Sequence, residues 1–252
     1  MIQAAHLFLS LIIVRFPVSA ENSPVIVFVK SPRRGMVKSR LAASVGDDAA
    51  LGLYTCFVED TVTMLLQNQF PLVVFFHPAR EERVITRWLG RDTEIFPQHG
   101  ADLGERMKNA FRDTFSRGST CAVLIGSDMP NLPADALHEA FAALKDHDVV
   151  LGPSFDGGYY LIGFRSDTFL PDIFDGISWS TPIVFEQTLA ILGGLKYRVH
   201  ILEMRRDIDT FDDLTLFFRD NLSLSPALSA TIRYIRSHIP EISRQVRYER
   251  KV

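Results

Sequence analysis

Short runs of β-branched and aromatic residues alternate along this chain with longer stretches in which apolar residues recur at helical spacing. Residues 25–29 (VIVFV), 72–76 (LVVFF) and 122–125 (AVLI) predict buried strands, and briefer strands are predicted over 94–96, 149–151, 159–164 and 198–202. Amphipathic patterns predict helices over 51–65, 80–89, 103–115, 132–144 and 182–192, the first of them after Asp47 and Asp48 as caps. Such alternation predicts an α/β fold in which a mixed, mostly parallel sheet carries helices on both faces.

One domain is expected over residues 23–220, because no linker, repeat or low-complexity run divides that stretch. A chain of 252 residues is long enough to bury a core without disulfides or a structural metal. Cys56 and Cys121 form no Cys-x-x-Cys motif, so two reduced thiols are expected. The net charge of −3 argues against a partner such as nucleic acid that needs a basic surface.

The two ends of the chain fall outside this domain. Residues 1–22 form an N-terminal extension whose apolar run, 7–14, is too short for a stable membrane span. A weak export signal, a mis-assigned start codon and a native extension all remain open for it. Residues 221–252 read as a C-terminal helical basic tail, with a helical patch at 227–235 followed by four cations: Arg244, Arg247, Arg250 and Lys251. We expect this tail to be solvated.

A basic loop follows the first predicted strand. Ligands of open α/β sheets bind beyond the carboxyl ends of the strands, so polar residues just after each strand are candidates for a site. Five cations fall in this loop: Lys30, Arg33, Arg34, Lys38 and Arg40. Pro32 and Gly35 shape its turn, and a helix is predicted to follow. The pattern suits a diphosphate or triphosphate, although neither GxxxxGK[ST] nor GxGxxG is present and a solvated basic loop is the alternative.

Asp128 comes directly after the strand at 122–125, in the sequence Gly126-Ser127-Asp128-Met-Pro. A carboxylate held at a strand end by a tight turn is a common way to present a ligand for a divalent metal ion. The alternative is that Asp128 caps the helix that follows.

Asp156 stands beside a pair of glycines, Gly157 and Gly158, ahead of the strand at 159–164. Glycines let a ligand approach the backbone, and Asp-Gly is also a favoured hairpin turn. The two interpretations are compatible, because the turn would position Asp156.

Three further segments carry polar residues at element ends. Asp209 or Thr210 is expected to cap a helix, and Asp209 is a weaker candidate for a second metal-binding carboxylate. A glycine-rich segment places Arg106 at a helix start within reach of phosphate or ribose, together with Gln98, Gly100 and Gly104. Trp179 and Ser180 precede another helix, where they would wall an acceptor pocket; burial of Trp179 in the core is the alternative.

Taken in order, these motifs resemble a bacterial family labelled radical-SAM/selenodomain-associated transferase or glycosyltransferase-like. The matching segments are KSPRRGMVKSRL, QHGADLGERM, GSDMPNL, GPSFDGGYYLIG, ISWST and DIDTFDDL. The chain is more distantly similar to 2-phospho-L-lactate guanylyltransferase and to the molybdenum-cofactor nucleotidyltransferases. The resemblance covers residues 24–217, with Ser39 where the family usually shows Thr. It implies a glycosyltransferase-A-type nucleotide-diphospho-sugar transferase fold with a Rossmann-like mixed sheet.

The resemblance also implies roles by position. The first loop would cradle the nucleotide phosphates and the segment from Gly100 to Arg106 would lie near the base or ribose. Asp128 would be the principal metal ligand, and Asp156 would face the metal or the acceptor. The full nucleotide-binding set is Lys30, Pro32, Gly35, Lys38, Arg40, Gln98, Gly100, Gly104, Arg106, Gly126 and Ser127. The acceptor side would comprise Gly157, Gly158, Trp179 and Ser180.

These roles predict a transferase that takes a nucleotide donor and a small-molecule acceptor. In nucleotidyl transfer, a phosphorylated metabolite attacks the α-phosphate of a nucleoside triphosphate and pyrophosphate leaves. Mg²⁺, with Mn²⁺ as the alternative ion, would sit on Asp128 and Asp156, with Asp209 as a third candidate. Lys38 and Arg40 would meet the leaving pyrophosphate.

Two other functions use the same residues. Glycosyl transfer from a nucleotide sugar is common on this fold, but such enzymes often carry Asp-x-Asp at the strand end, where this chain has only Ser127-Asp128. A nucleotide-binding protein without turnover is the third hypothesis. We expect a cytoplasmic location, because the predicted donor is found there.

Overall fold

The computed structural model describes residues 23–222, 227 and 229–249, and its centre is one seven-stranded sheet. The strands are β1 (Val25–Lys30), β2 (Leu72–His77), β3 (Glu94–Pro97), β4 (Cys121–Ile125), β5 (Val149–Pro153), β6 (Tyr159–Arg165) and β7 (Val199–Ile201). They lie in the order β3-β2-β1-β4-β6-β5-β7. All seven predicted strands are therefore confirmed. The predicted extension at residues 1–22 lies outside the described residues.

Helices cover the sheet and fill the connections between its strands. They are α1 (Ser39–Val45), α2 (Asp47–Gln67), α3 (Glu82–Leu89), α4 (Leu103–Ser116), α5 (Ala134–Ala143), α6 (Val184–Gly194), α7 (Phe211–Asp220), α8 (Ala230–His238) and α9 (Pro240–Glu249). Short 3₁₀ turns lie at Ala79–Glu81 and Pro171–Phe174. Asp47 and Asp48 lie in the first turn of α2, which has Gly46 as its N-cap, so their prediction as caps is wrong.

The direction of the strands brings several loops to one edge of the sheet. β1 pairs in parallel with both β2 and β4, β2 with β3, and β5 with β7. β6 is antiparallel to β4 and β5, so it begins where they end. The chain crosses from one side of β1 to the other between β3 and β4, which makes the carboxyl end of β1 a topological switch point.

Each face of the sheet has its own hydrophobic core. On one face, residues of β1, β2 and β4 such as Val27 and Val74 pack with α2, α3 and α5. On the other, Phe111 of α4 and Phe164 of β6 anchor an aromatic cluster that includes the 3₁₀ turn at Pro171–Phe174. With both faces covered, the loops at the strand ends are left as the polar surface for a ligand.

α2 is the one helix in the described part of the chain that is long and apolar enough to cross a membrane by length and composition. It buries Leu53, Tyr54, Phe57, Val58 and other side chains against the sheet and against α8. This is the packing of a core helix.

The C-terminal tail is part of the core, so our expectation of a solvated extension is wrong. α8 and α9 bury Ile232, Ile235, Ile239 and Ile242, which pack with α1, α2 and α7 in a third hydrophobic cluster. Asp60 of α2 holds the start of α8 by accepting hydrogen bonds from three of its residues, Ser229, Ala230 and Thr231. Burial of this isoleucine stripe outweighs the solvation of the basic residues around it. Arg250 and Lys251 lie outside the described residues.

We expect Ile235→Ala to lower the free energy of unfolding by about 2–5 kcal/mol, because Ile235 is fully buried and alanine leaves a cavity. Urea denaturation measures this change. Ser237→Ala, on the exposed face of the same helix, is the control and should shift stability by less than about 0.5 kcal/mol. Equal stability of the two variants would contradict the packing of α8 described here.

Candidate functional site

Three loops meet at the carboxyl edge of the sheet, and backbone hydrogen bonds hold them together. The segment after β7 runs beside the loops that follow β4 and β5. Ile208 N donates to Asp128 O at 3.0 Å, and Arg205 N donates to Pro153 O at 3.0 Å. Phe155 N donates back to Arg205 O at 3.1 Å. Carboxylates from distant parts of the sequence therefore come to one place.

Lys38, Asp128 and Asp209 meet at the centre of this edge. The Lys38 ammonium lies 2.7 Å from Asp128 Oδ1 and 2.8 Å from Asp209 Oδ1. The lysine side chain is 4% exposed, whereas those of Asp128 and Asp209 are 47% and 34% exposed. The ammonium thus lies beneath two carboxylates that remain open to solvent. The cap of α5 is Pro133, so the interpretation of Asp128 as a helix cap is wrong.

The backbone and charge of Lys38 fit this buried position. Its φ of 48° and ψ of 49° place it in the left-handed region at the N-cap of α1, a conformation that non-glycine residues adopt only when their surroundings hold them. Burial lowers the pKa of Lys38, but attraction to Asp128 and Asp209 outweighs it and raises the pKa above its usual value. We expected Lys38 to meet a pyrophosphate; here its ammonium is committed to the two aspartates.

Two other cations of the basic loop also form ion pairs with carboxylates. Arg33 pairs with Glu81, and Arg34 Nε lies 2.7 Å from Asp48 Oδ1. Arg40 is largely exposed, with Nη1 3.7 Å from Asp209 Oδ2. Gly35, at φ 73°, makes the turn next to Pro32 that was predicted. Of the five predicted phosphate-binding cations, Lys30 has no ion pair within the described residues, and Arg40 stays largely exposed beside Asp209.

A second cationic group lies at the ends of β1 and β2, around a histidine that the sequence analysis missed. His77 ends β2 in register with Lys30. Burial and three nearby cations lower the pKa of His77; in order of effect, the cations are Arg106, Lys30 and Arg80. Within the described residues Lys30 and Arg106 make no ion pair. The position of His77 directly after the second strand was the signal that could have found it.

Asp156 holds its own turn between β5 and β6. Its Oδ1 accepts hydrogen bonds from Gly158 N at 3.0 Å and from the Ser154 hydroxyl. Gly157 has φ 88°, and a Cβ there would lie 1.9 Å from Pro182 O, so the turn requires glycine. The predicted hairpin turn is confirmed. Asp209, the weaker candidate from sequence, is the carboxylate that joins Asp128.

Asp207 is a further carboxylate beside this site. Burial raises the pKa of Asp207 to about 6, and repulsion from Asp209 and Asp156 contributes. Its place in the DIDTFDDL motif was a signal, but the sequence did not separate it from Asp209 or Asp213. Asp213 instead forms the capping box with Thr210 at the start of α7, as predicted for Thr210.

The raised pKa of Asp207 predicts a pH-dependent stability. The folded protein binds this proton more tightly than the unfolded chain, whose Asp pKa is about 3.9, so ionisation of Asp207 removes stability as pH rises from about 4 to about 6. Asp207→Asn cannot ionise. In metal-free buffer we expect it to melt higher than the unsubstituted protein at pH 8 and at nearly the same temperature at pH 4. An equal difference at both pH values would contradict the assignment.

The segment predicted for base or ribose contacts the segment predicted for the acceptor. A Cβ on Gly104 would lie 2.4 Å from Trp179 Nε1, so the indole packs directly on this glycine. Gly100 has φ 143° and lies against the Arg106 backbone, and Arg106 Nε donates to Gly100 O at 3.2 Å. Trp179 is half-buried and Ser180 is exposed. The two segments therefore lie side by side at the carboxyl edge of the sheet, next to β3.

Two predicted nucleotide-binding residues are engaged inside the protein. Gln98 is buried and donates through Nε2 to Phe75 O at 2.8 Å. Ser127 is buried next to Gly126, with its Oγ 3.5 Å from the Tyr54 hydroxyl. Tyr54 in turn accepts from Lys30 N at 2.7 Å, which ties α2 to the end of β1. Burial raises the pKa of Tyr54, so its hydroxyl stays protonated.

The residues present fit a divalent metal ion that a substrate also helps to bind. In the described ranges, 23–222 and 229–249, no three His, Cys, Asp or Glu side chains are grouped to hold a metal by themselves. Asp128 and Asp209 already place one oxygen each within 2.8 Å of a single cation. Mg²⁺ characteristically binds through one or two carboxylates together with waters and substrate phosphates. Two half-exposed aspartates supply that donor set.

Comparison with known proteins places the chain among bacterial relatives. A family profile described as “Uncharacterized protein conserved in bacteria (DUF2064)” matches residues 61–181. The crystal structure of a “putative nucleotide-diphospho-sugar transferase from Desulfovibrio desulfuricans G20” is 38% identical, with a TM-score of 0.85 over 89% of this chain and 98% of that one. Curated proteins gave no match.

Two more distant structures share the fold. One is 4-diphosphocytidyl-2C-methyl-D-erythritolsynthase from Anaerococcus prevotii DSM 20548, with a TM-score of 0.53 and 10% identity over 80% of this chain and 97% of that one. The other is CMP:2-keto-3-deoxy-manno-octonic acid synthetase in complex with CTP, with a TM-score of 0.51 and 11% identity over 80% and 99%. At these identities the likeness is one of fold alone. The predicted nucleotide-diphospho-sugar transferase-type α/β fold is confirmed.

Proposed function

We propose that this chain, which belongs to the same family as the Desulfovibrio desulfuricans protein, is a Mg²⁺-dependent transferase that takes a nucleotide donor and a small-molecule acceptor. One observation carries the proposal. Asp128 and Asp209 approach the same cation position at the switch point of the sheet, 2.7 and 2.8 Å from Lys38 Nζ. The cytoplasm stays our predicted location, since the proposed donor is a cytoplasmic nucleotide.

Lys38 positions the two aspartates in this proposal. Its ammonium binds Oδ1 of each aspartate beneath the surface. The Oδ2 atoms would bind the metal ion, and that of Asp209 also lies 3.7 Å from Arg40 Nη1. When bound there with the donor phosphates, Mg²⁺ supplies charge neutralisation for the phosphate oxygens. Lys30, Arg40 and Arg106 are the open cations that would hold the remaining phosphate charge. Catalysis then rests on placement and electrostatics, with no covalent intermediate.

Nucleotidyl transfer from a nucleoside triphosphate is our first candidate reaction. An acceptor oxygen forms a bond to the α-phosphorus, the bond from that phosphorus to the bridging oxygen breaks, and pyrophosphate leaves with its electron pair. Support comes from the cations around His77, two of which lack carboxylate partners within the described structure and so remain available to a highly charged donor.

Glycosyl transfer from a nucleotide sugar is the second candidate, and one observation favours it. The Asp-x-Asp motif is missing, but Asp209 supplies the second carboxylate beside Asp128 from elsewhere in the chain. Arg33, Arg34 and Lys38 form ion pairs with carboxylates, so fewer cations are available to bind the charge of a triphosphate. In this reaction an acceptor oxygen forms a bond to the anomeric carbon of the sugar, the bond from that carbon to the phosphate oxygen breaks, and a nucleoside diphosphate or monophosphate leaves with the electron pair.

Product analysis separates these reactions. The purified protein is incubated with Mg²⁺, each of the four nucleoside triphosphates or a panel of nucleotide sugars, and mixtures of phosphorylated and unphosphorylated metabolites. Pyrophosphate release supports nucleotidyl transfer, and nucleoside diphosphate or monophosphate release from a sugar nucleotide supports glycosyl transfer. Tight nucleotide binding without turnover of any donor would instead support a non-catalytic binding protein and contradict our proposal.

A further inference from the structure

A cavity of about 440 Å³ adjoins the candidate site on the side of α7. It lies between the segment after β7, the loop after β4 and helix α7, and it is the size of a small metabolite. Asp207 connects the two places, because it lines the cavity and lies two positions before Asp209 in the chain. A molecule in this cavity would therefore lie next to the carboxylates that we propose hold the metal ion.

The wall of the cavity contains large apolar side chains that are left uncovered. Phe155 is 57% exposed and Met204 is 49% exposed, although both side chains are large and apolar. Leu216 of α7 lines the same space. The guanidinium of Arg206 stacks over the Phe155 ring, with 4.6 Å between Cζ and the ring centroid, which holds the ring at the mouth of the cavity. These surfaces suit the apolar body of a ligand.

The arginines that line the cavity form ion pairs with carboxylates of the same lining, and one carboxylate, that of Asp207, has no such pair. Arg205 pairs with Glu203 at 2.7 Å and Arg206 pairs with Asp213 at 3.2 Å. Arg219 pairs with Asp220 at 3.0 Å. Across the described part of the chain Asp207 makes no ion pair. Because every arginine is already neutralised and a carboxylate is free, the cavity disfavours an anionic ligand.

The polar groups that remain favour a hydroxyl. Arg205 Nε is buried beneath the cavity surface, so it does not present its N–H to a ligand there. Asp207 offers a free carboxylate that can accept a hydrogen bond. A hydroxyl group can donate its hydrogen to this carboxylate, whereas an anionic group without a proton cannot.

We propose that this cavity is the acceptor site and that it takes a small, hydroxyl-bearing molecule with an apolar body and no anionic group. The role of the cavity as an acceptor site rests on the proposed transferase function, but ligand binding to the cavity can be measured without a donor. It differs from the acceptor side expected at Gly157, Gly158, Trp179 and Ser180, and from the expectation of a phosphorylated acceptor.

Ligand-observed saturation-transfer NMR with two probes tests the proposal on the full chain. The probes are 2-phenylethanol and phenylacetate, which share a ring and differ in carrying a hydroxyl or a carboxylate. Leu216→Trp and Met204→Trp fill the cavity from two sides, one from inside α7 and one from the exposed rim, so the test survives if one of them folds poorly. Thr86→Trp is the matched control, because it fills an unrelated cavity of about 460 Å³ on α3.

We expect 2-phenylethanol to bind at least about tenfold more tightly than phenylacetate, and to lose about tenfold or more in both cavity variants but not in Thr86→Trp. Stronger binding of phenylacetate, or equal binding of 2-phenylethanol to all variants, would overturn the proposal. Nucleotide-induced thermal shifts are recorded on the same samples. A nucleotide-induced rise in melting temperature without probe binding refutes the cavity proposal alone. Probe binding with the expected preference and the expected loss in both cavity variants, but without any nucleotide-induced rise, supports the cavity proposal and refutes the proposed use of a nucleotide donor.

Discussion

Asp128→Asn is expected to lower the rate of donor turnover by about 10²–10³-fold, the size of effect seen when one preorganised group that stabilises charge in a transition state is removed. Asparagine keeps the shape of the side chain and its hydrogen-bonding oxygen but loses the charge that a divalent ion needs. The measurement is the initial rate of pyrophosphate or nucleoside diphosphate release at saturating donor and Mg²⁺, using whichever donor the unsubstituted protein turns over.

Asp92→Asn is the matched control. Asp92 is exposed and precedes β3, at the opposite edge of the sheet from the site. It should leave both the rate and the melting temperature unchanged. A turnover rate for Asp128→Asn within a factor of three of the control would contradict a metal-binding role for Asp128. Melting curves of both variants show whether a lost rate reflects lost folding.

Removal of both carboxylates around Lys38 is expected to produce the largest loss of stability. The double variant Asp128→Asn, Asp209→Asn leaves a buried ammonium with no counter-charge, which costs about 3–5 kcal/mol of unfolding free energy. Adding Lys38→Met to that pair should restore most of the loss, because an apolar side chain of similar length then fills the same space beside Phe57.

Urea denaturation of the single, double and triple variants forms a thermodynamic cycle for this cluster. If Lys38 is coupled to the two aspartates through its charge, the double variant is expected to be less stable than the triple variant that also carries Lys38→Met. If the triple variant is instead the least stable of the set, Lys38 contributes by packing and not by its charge. A double variant as stable as the unsubstituted protein would show that the ammonium reaches solvent, contrary to its 4% exposure.

Strands and helices could be predicted from the sequence because hydrophobic periodicity is a local property. The runs at 25–29, 72–76 and 122–125 each became strands at the centre of the sheet. The rule that ligands bind beyond the carboxyl ends of strands also located Lys38, Asp128 and Asp156 at one edge. The convergence of Lys38 and Asp128 that this rule predicted is seen directly as a 2.7 Å contact.

The pairing within the site could not be predicted in the same way. Lys38 and Asp209 are 171 positions apart, and only the course of the chain after β7 brings them together. The family resemblance paired Asp156 with Asp128 as a metal ligand, and in the structure Asp156 Oδ1 accepts hydrogen bonds within its own turn. Likewise, a count of cations in the first loop could not reveal that Glu81 and Asp48 neutralise two of them.

The C-terminal helices carried a local signal that charge obscured. Ile232, Ile235, Ile239, Ile242 and Val246 recur at intervals of three and four residues, which is the pattern of a buried helical stripe. Attention to the arginines of the same segment led to the wrong expectation of a solvated tail. A stripe at helical spacing is the stronger signal, because basic side chains can stay solvated on the opposite face.

The most direct test of the whole account is calorimetric titration of nucleoside triphosphates and nucleotide sugars into the protein, with Mg²⁺ and with EDTA. We expect at least one donor to bind at least about tenfold more tightly with Mg²⁺, and the Asp128→Asn, Asp209→Asn variant, in buffer where it remains folded, to lose that difference. Equal affinity with and without Mg²⁺, or the same Mg²⁺ dependence in the variant, would contradict the claim that these two aspartates and the donor phosphates bind one metal ion together.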